Sequence, residues 1–126
     1  MRYAFTMIEL IFVIVILGVL AAVAIPRLAA TRNDGGAAVV ANDLGNCISG
    51  AGGAYQMDNA FDVTSDACVN ATVTNPCFTV VPDNATGILL VTDVAGAAAG
   101  SVCLAAQVLV AENGLSSTAP GVSHRF

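Results

Sequence analysis

Hydrophobic positions are most concentrated near the start of the chain, in the segment FTMIELIFVIVILGVLAAVAIP, Phe5–Pro26. Val, Ile and Leu dominate this segment, and Glu9 is its single charged residue. A helix needs about 20 mostly apolar residues to span the hydrocarbon core of a bilayer. The pattern therefore predicts a transmembrane helix over residues 5–25. Basic residues flank this helix on both sides, so that charge orients it only weakly: Arg2, Arg27 and Arg32.

A second hydrophobic pattern predicts that the helix continues beyond the apolar segment. Apolar side chains recur at spacings of three and four residues between Val40 and Tyr55, which is typical of a helix with one buried face. The two patterns together predict one helix over residues 5–55, about 75 Å long at 1.5 Å per residue. We expect it to end near the glycine cluster at residues 50–53. Bends are expected at three weak points: Gly18, Pro26 and Gly35–Gly36.

Residues 56–126 are predicted to form a small globular head. After a polar loop, the β-branched segments CFTVVP and GILLVTD are predicted to be two strands joined by a turn at DNAT. SVCLAAQVLVAENG favours a short helix, with a strand as the alternative, and the C-terminal tail is predicted to add an edge strand. The fold class is therefore α+β, with a long kinked helix packed on a small antiparallel sheet.

Composition narrows the classes of function. Of the 126 residues 56% are hydrophobic and only 10% are charged, and the net charge is −5. Phosphate binding needs clustered Lys or Arg, so no specific nucleic acid is expected as a partner. The only histidine, His124, has no plausible catalytic partners nearby in the sequence. We therefore expect a protein that is not an enzyme.

The four cysteines predict disulfide bonds. An even number of cysteines after an export segment indicates an oxidising compartment. Four cysteines allow three connectivities, among which we favour Cys68–Cys77 and Cys47–Cys103. Zinc binding is disfavoured because the sequence contains no C-x-x-C pair.

Glu9 raises the question of what balances a carboxylate in an apolar segment. An acid at membrane depth is expensive, and it marks a functional site with a partner to be identified. The apolar segment itself contains no basic residue. If the chain were cut before Phe5, the new α-amino group would lie one helical turn from Glu9 along the chain. On a neighbouring copy shifted by about one turn, that amine would meet Glu9 directly.

The segment from Phe5 to about Arg32 resembles the N-terminus of type IV pilins and of the pseudopilins of type II secretion systems. The resemblance is carried by Phe-Thr-x-Ile-Glu-Leu followed at once by a full-length apolar run. It implies that residues 1–4 are a leader that a prepilin peptidase removes between Ala4 and Phe5. It also implies N-methylation of Phe5. Ala4 departs from the family, in which glycine usually precedes the cut.

The resemblance also implies residues for assembly and a cellular location. Glu9 corresponds to the fifth mature residue of the family, a glutamate, and the helix-weakening Gly and Pro of the family fall on Gly18 and Pro26. The chain would be stored in the inner membrane and then polymerise with itself, through pilus assembly machinery, into a cell-surface filament as a major pilin. One alternative is the major pseudopilin of a type II secretion system, located in the periplasm. A second alternative is a monomeric, signal-anchored periplasmic protein.

No cofactor is required by any of these interpretations. Three acids of the polar loop nevertheless form a weak calcium candidate, because Ca²⁺ takes oxygen ligands. They lack the spacing of an EF-hand, and a solvated acidic loop is the favoured interpretation. The three are Asp58, Asp62 and Asp66.

Overall fold

A computed structural model describes residues 4–118 and 120–126, without the side chains of residues 29 and 30. The helices are α1 (Met7–Asp58), α2 (Asp66–Val69) and α3 (Val102–Glu112), and a π-helical turn, Asn70–Thr74, follows α2. The strands are β1 (Phe78–Asp83), β2 (Ile88–Asp93) and β3 (Val122–Arg125). They form one antiparallel sheet in the order β1-β2-β3. The predicted α+β fold class, a long N-terminal helix with a small antiparallel sheet, is confirmed.

The chain divides into two compact units, of which the first ends at Arg32 and the second is Asn33–Phe126. In the first unit the described side chains up to Leu28 are all exposed. Within the described residues, α1 is the one helix whose length and composition would let it cross a membrane. The helix is continuous through the predicted weak points, including Pro26.

The core of the second unit is built on one face of α1. Its buried positions recur at spacings of three and four residues, as the sequence pattern predicted: Ala37, Val40, Leu44, Ile48 and Ala51. These side chains belong to the same cluster as buried residues of β1, β2 and α3, among them Phe78, Leu89 and Val110. This part of α1 therefore packs on the sheet and on α3.

Helix α3 confirms the helical alternative for its segment, and one polar side chain ties it to the sheet. Ser101 caps its N-terminus, its Oγ accepting from the N–H of Leu104 at 3.2 Å. Gln107 is buried on its inner face, and Nε2 donates to the carbonyls of Cys77 and Val94 at 2.9 and 3.0 Å. These two carbonyls flank the paired strands, so one amide fixes the helix to both β1 and β2. The predicted edge strand in the tail is also confirmed, as β3.

The end of α1 differs from the prediction. The helix passes through the glycine cluster and ends at Asp58, after which Asn59 adopts a left-handed conformation with φ of 54°. The glycines do not stop the helix because tertiary contacts need it there: Ala51 is buried, and Gly52 lies directly beneath the ring of Phe126. The polar loop that was expected to follow is also shorter, since it contains α2 and the π-helical turn.

The C-terminus is held by an aromatic cluster over this glycine. Tyr55 stacks on Phe61 with ring centroids 4.5 Å apart, and the edge of Phe126 meets Phe61 at 5.8 Å. A Cβ added to Gly52 would lie 2.1 Å from the Phe126 ring, too close for any real contact. A Cβ on the adjacent Gly53 would meet nothing within 4 Å. The two neighbouring glycines therefore differ in their contacts: a side chain at position 52 would clash with Phe126, whereas one at position 53 would not.

We expect Gly52→Ala and Gly53→Ala to have opposite effects on stability. Either change adds helix propensity, up to about 1 kcal/mol, and Gly53→Ala should realise that gain. Gly52→Ala should displace the Phe126 ring and lose an aromatic contact of about 0.5–1.5 kcal/mol together with its packing. Thermal unfolding of the full chain in detergent, followed by circular dichroism, should place Gly52→Ala below Gly53→Ala. Equal melting temperatures would contradict this account of the glycine.

Candidate functional site

The acid of the apolar segment lies in the first turn of α1, where it contacts the residue that precedes the helix. The N–H and Oγ1 of Thr6 both donate to Oε2 of Glu9, each at 3.5 Å. The carbonyl of Thr6 in turn accepts from the N–H of Glu9 at 3.1 Å. The contact from Glu9 back to the N–H of Thr6 is one half of a capping box, in which Ser or Thr precedes the helix and Glu follows three residues later. Within one chain, Glu9 therefore satisfies one backbone donor at the start of the helix.

Thr6 is the residue at this site that the sequence reading did not single out. The signal was present, because Thr-x-x-Glu at the start of a periodic apolar run is the sequence signature of a capping box. The capping contact shows that Glu9 has a partner in its own chain, but among the described residues this partner is not a cation.

The expected cleavage point lies immediately before this cap. Ala4 and Phe5 precede the helix and have no regular secondary structure, and Phe5 is 88% exposed. A chain segment outside helices and strands can enter an enzyme cleft without the breaking of backbone hydrogen bonds. The geometry around this peptide bond therefore suits proteolysis.

Gly18 and Pro26, the other residues assigned to assembly, lie inside α1 and are exposed. A Cβ on Gly18 would meet nothing within 4 Å. Glycine within a helix costs about 1 kcal/mol relative to alanine. Nothing within the described chain compensates that cost at Gly18.

The disulfide pairing favoured from the sequence is wrong. The structure joins Cys47 to Cys68 and Cys77 to Cys103, with Cα–Cα distances of 4.7 and 4.9 Å. The prediction assumed a loop that folds Cys68 back on Cys77. Instead Cys68 lies in α2, turned toward α1, and Cys77 directly precedes β1, where Gln107 also fixes its carbonyl beside α3.

Each disulfide joins one helix to a different part of the head. Cys47–Cys68 links α1 to α2, and Cys77–Cys103 links the start of β1 to α3. The bonds close loops of 21 and 26 residues. In the chain-entropy account, loops of this length stabilise a fold by about 3 kcal/mol each. For a head with so small a core, that is a large share of the total stability.

The three acids of the calcium candidate do not form a cluster. Among residues 4–118 and 120–126, no group of three or more His, Cys, Asp or Glu side chains is placed to hold a metal ion. Asp62 is engaged locally, accepting from the hydroxyl and the N–H of Thr64 at 2.6 and 2.9 Å. The hydroxyl, followed by the N–H, lowers the pKa of the Asp62 carboxyl below its ordinary value.

A second carboxylate of this kind organises the β1–β2 hairpin. Asp83 accepts from Oγ1 of Thr86 at 2.6 Å and from the N–H of Ala85 at 3.0 Å. The hydroxyl of Thr86 is the main cause of the lowered pKa of Asp83. In the same turn, Oδ1 of Asn84 accepts from the N–H of Phe61 at 2.8 Å and so connects the hairpin to the aromatic cluster.

Comparison with known proteins gives one match. Residues 1–25 match the family model described as the prokaryotic N-terminal methylation motif, which is the prepilin signature of type IV pilins and pseudopilins. No curated protein and no solved structure matches the chain. The match covers residues 1–4, the cap and most of the apolar segment, and it supports the type IV pilin or pseudopilin class. It suggests a structural subunit rather than an enzyme, and anchoring in a membrane before assembly.

The lowered pKa of Asp83 predicts a pH dependence of head stability. Its hydrogen bonds favour the ionised form, so their contribution is complete above the ordinary carboxyl pKa and is lost as the pH falls through the lowered folded value. Asp83→Asn should therefore weaken the loss of stability on acidification below about pH 4. Thr86→Val, which removes the main donor, should act in the same direction. Melting temperatures measured between pH 7 and pH 2 test this, and an unchanged acid dependence in both variants would contradict it.

Proposed function

We propose that this chain is the structural subunit of a helical filament of the type IV pilus kind, assembled after cleavage between Ala4 and Phe5. The observation that carries the proposal is the exposed apolar half of α1 with one acid, Glu9, at its start. The match of residues 1–25 to the N-terminal methylation motif supports the same conclusion. Residues 1–4 are then the leader, and residues 5–25 are first the membrane anchor and later the filament core.

The exposed surface of α1 needs a cover. Large apolar side chains follow one another from Met7 to Leu28 with exposures between 43% and 77%. Burying one such side chain is worth about 1.5–3 kcal/mol. The first unit is therefore not stable in water as a free chain, and either lipid or other copies of α1 must surround it. A subunit that moves from membrane to filament exchanges the first cover for the second.

The carboxylate of Glu9 has different partners in lipid and in a bundle of α1 helices. In lipid, the donors that the described part of a single chain supplies to the carboxylate are those of Thr6, which carry no charge. Cleavage before Phe5 creates an α-amino group on every subunit, and in a filament this amine can lie beside the Glu9 of a neighbour. Parallel copies shifted by four residues, about 6 Å along the axis, place the two groups level. The pair forms in an apolar bundle, where a lone charge is costly, so it favours assembly in this shift.

A different part of the apolar segment suits close packing of helices. The second half of the apolar segment contains small residues: Gly18, Ala21, Ala22 and Ala24. Small residues let helix backbones approach closely, which is the main source of attraction where lipid and side chains are equally apolar. This accounts for a glycine at position 18, where nothing in its own chain requires one. A contact between unlike faces that does not close into a ring extends as a helical filament.

The proposal implies partners and a sequence of locations. The precursor is held in the inner membrane, a prepilin peptidase removes residues 1–4, and Phe5 is methylated on its new amine. The assembly machinery then extracts the subunit into a filament of identical copies. Either a surface pilus or a short periplasmic pseudopilus satisfies this chemistry.

The N-terminus of the assembled protein provides the first test. Filaments sheared from the cell surface should yield a chain that starts at methylated Phe5, measured by intact mass and by mapping of the N-terminal peptide. That result, from a surface fraction, would also favour the pilus over the pseudopilus. A chain that starts at Met1 and is found only in membranes would overturn the proposal.

Substitution of Glu9 tests the role of the charge. We expect Glu9→Gln and Glu9→Ala to be inserted and cleaved normally but to assemble about 10- to 100-fold less, since a hydrogen bond between charged groups contributes about 1.5–3 kcal/mol. Asp43→Asn on the same helix is the matched control and should assemble as the wild type does. The measurement is the ratio of sheared to cell-bound subunit. Normal filaments from Glu9→Gln would contradict the proposed pair between Glu9 and the Phe5 amine of a neighbour.

A further inference from the structure

Two opposite charges lie close together on α1, just beyond its apolar segment, and are not placed to pair with each other. Arg32 and Asp34 are both exposed. They are two residues apart, and helix positions i and i+2 do not face each other. The only other arginine nearby, Arg27, is seven residues from Asp34, about 10 Å along the helix. Along its own helix, Asp34 therefore has no basic side chain at pairing distance.

The two charges project from opposite flanks of the helix. The side of α1 that faces the head is marked by Asn33, whose Nδ2 donates to the carbonyl of Gly100 at 2.7 Å, and by Gly36, whose Cβ position lies 3.2 Å from Val102. At 100° per residue, Arg32 and Asp34 are about 200° apart around the helix axis, which places them on nearly opposite sides of the helix. A head-to-tail contact between copies joins one flank of a subunit to the opposite flank of the next. Such a contact brings the arginine flank of one copy against the aspartate flank of the next, so that the opposite charges attract each other.

We propose that Arg32 of one copy pairs with Asp34 of the next copy in the filament. The inference rests on the proposed function, because the shift that brings a neighbour's Phe5 amine level with Glu9 sets every residue level with the one four positions later. Arg32 of the neighbour then arrives at the level of Gly36, about 3 Å along the axis from Asp34. A long arginine side chain spans that offset.

The location of Arg32 supports a role in assembly rather than in insertion. With the head outside the cytoplasm, this arginine lies at the outer end of the membrane segment, which is opposite to the preference for positive charge on the cytoplasmic side. A pair between subunits supplies a reason for its presence there. The pair is solvent-exposed, so its effect should be modest and should decrease with salt.

Asp43 provides the matched control, because it differs from Asp34 both in the flank of the helix on which it lies and in its level along the axis. It is eleven residues from Arg32, which places it on nearly the same flank, and in the proposed shift it lies about 10 Å beyond the neighbour's Arg32. Substituting it changes the net charge of the subunit by the same amount as substituting Asp34.

The test is a charge exchange in sheared filaments of the full chain. Asp34→Arg and Arg32→Asp should each release about 2- to 30-fold more subunit at low salt, since an attraction is replaced by a repulsion of similar size. If Asp34→Arg gives too few filaments to measure, Asp34→Asn replaces it. This variant should also release more subunit than the wild type, but by a smaller factor. The double variant Arg32→Asp, Asp34→Arg should return to within about twofold of the wild type, and all differences should shrink near 1 M salt, where the screening length is about 3 Å.

Three outcomes would overturn the pairing and leave the filament. Equal loss in Asp43→Arg would show an effect of net charge alone. Loss in Arg32→Asp with none in Asp34→Arg, and no rescue in the double variant, would assign Arg32 to another anion such as a lipid phosphate. Wild-type filaments whose stability none of the variants changes would remove the pair but leave the filament, whereas a wild type without any filaments would remove both.

Discussion

The apolar surface of the first half of α1 is the constraint on which the rest of the molecule depends, because its own chain does not cover it. A soluble domain buries such a face in its core, whereas here the described side chains up to Leu28 are all exposed. The surface must therefore be covered from outside, by lipid or by identical helices. Two such covers for one helix allow a subunit to be stored in one environment and used in another. The charged groups at the ends of the segment, such as Glu9, are then the groups whose environment changes between membrane and filament.

The head meets a different constraint, since it must be stable with a thin core and must hold the second half of α1 firmly. Its stability depends on contacts that join separate elements rather than on a large hydrophobic core. One disulfide ties α1 to α2, another ties β1 to α3, and Gln107 fixes α3 to two strands through a single amide. Below about 70–80 residues a hydrophobic core supplies only a few kcal/mol, so cross-links of this kind decide whether the fold persists.

The sequence was most informative where residue types form a local run or a periodic pattern, and least informative where contacts join distant positions. The apolar segment follows from its length and composition, the buried face of α1 from spacing, and both hairpin strands from their β-branched residues, and together they give the α+β class. The cysteine pairing did not, because it depends on which way a short helix turns Cys68, and nothing local to Cys68 encodes that. The helix end was misplaced for a similar reason: Gly52 reads as a stop signal, but it is there to accommodate the ring of Phe126, 74 positions later. The contact between Thr6 and Glu9, by contrast, is local, and the sequence Thr-x-x-Glu encodes it.

Apolar helices attract one another without fixing their relative position, because one leucine or valine packs about as well as the next. Polar groups supply the missing specificity, as single buried polar residues do in coiled coils. In α1 up to residue 36, the charges lie at the two ends of the apolar segment: Glu9 at its start, and Arg27, Arg32 and Asp34 just beyond its end. The pair proposed at the start lies in a low dielectric and is strong, while the pair proposed at the end lies in water and is weak. Since both require the same shift of four residues, a slip of one helical turn loses both together, so two sparse contacts suffice to define one arrangement along an otherwise uniform surface.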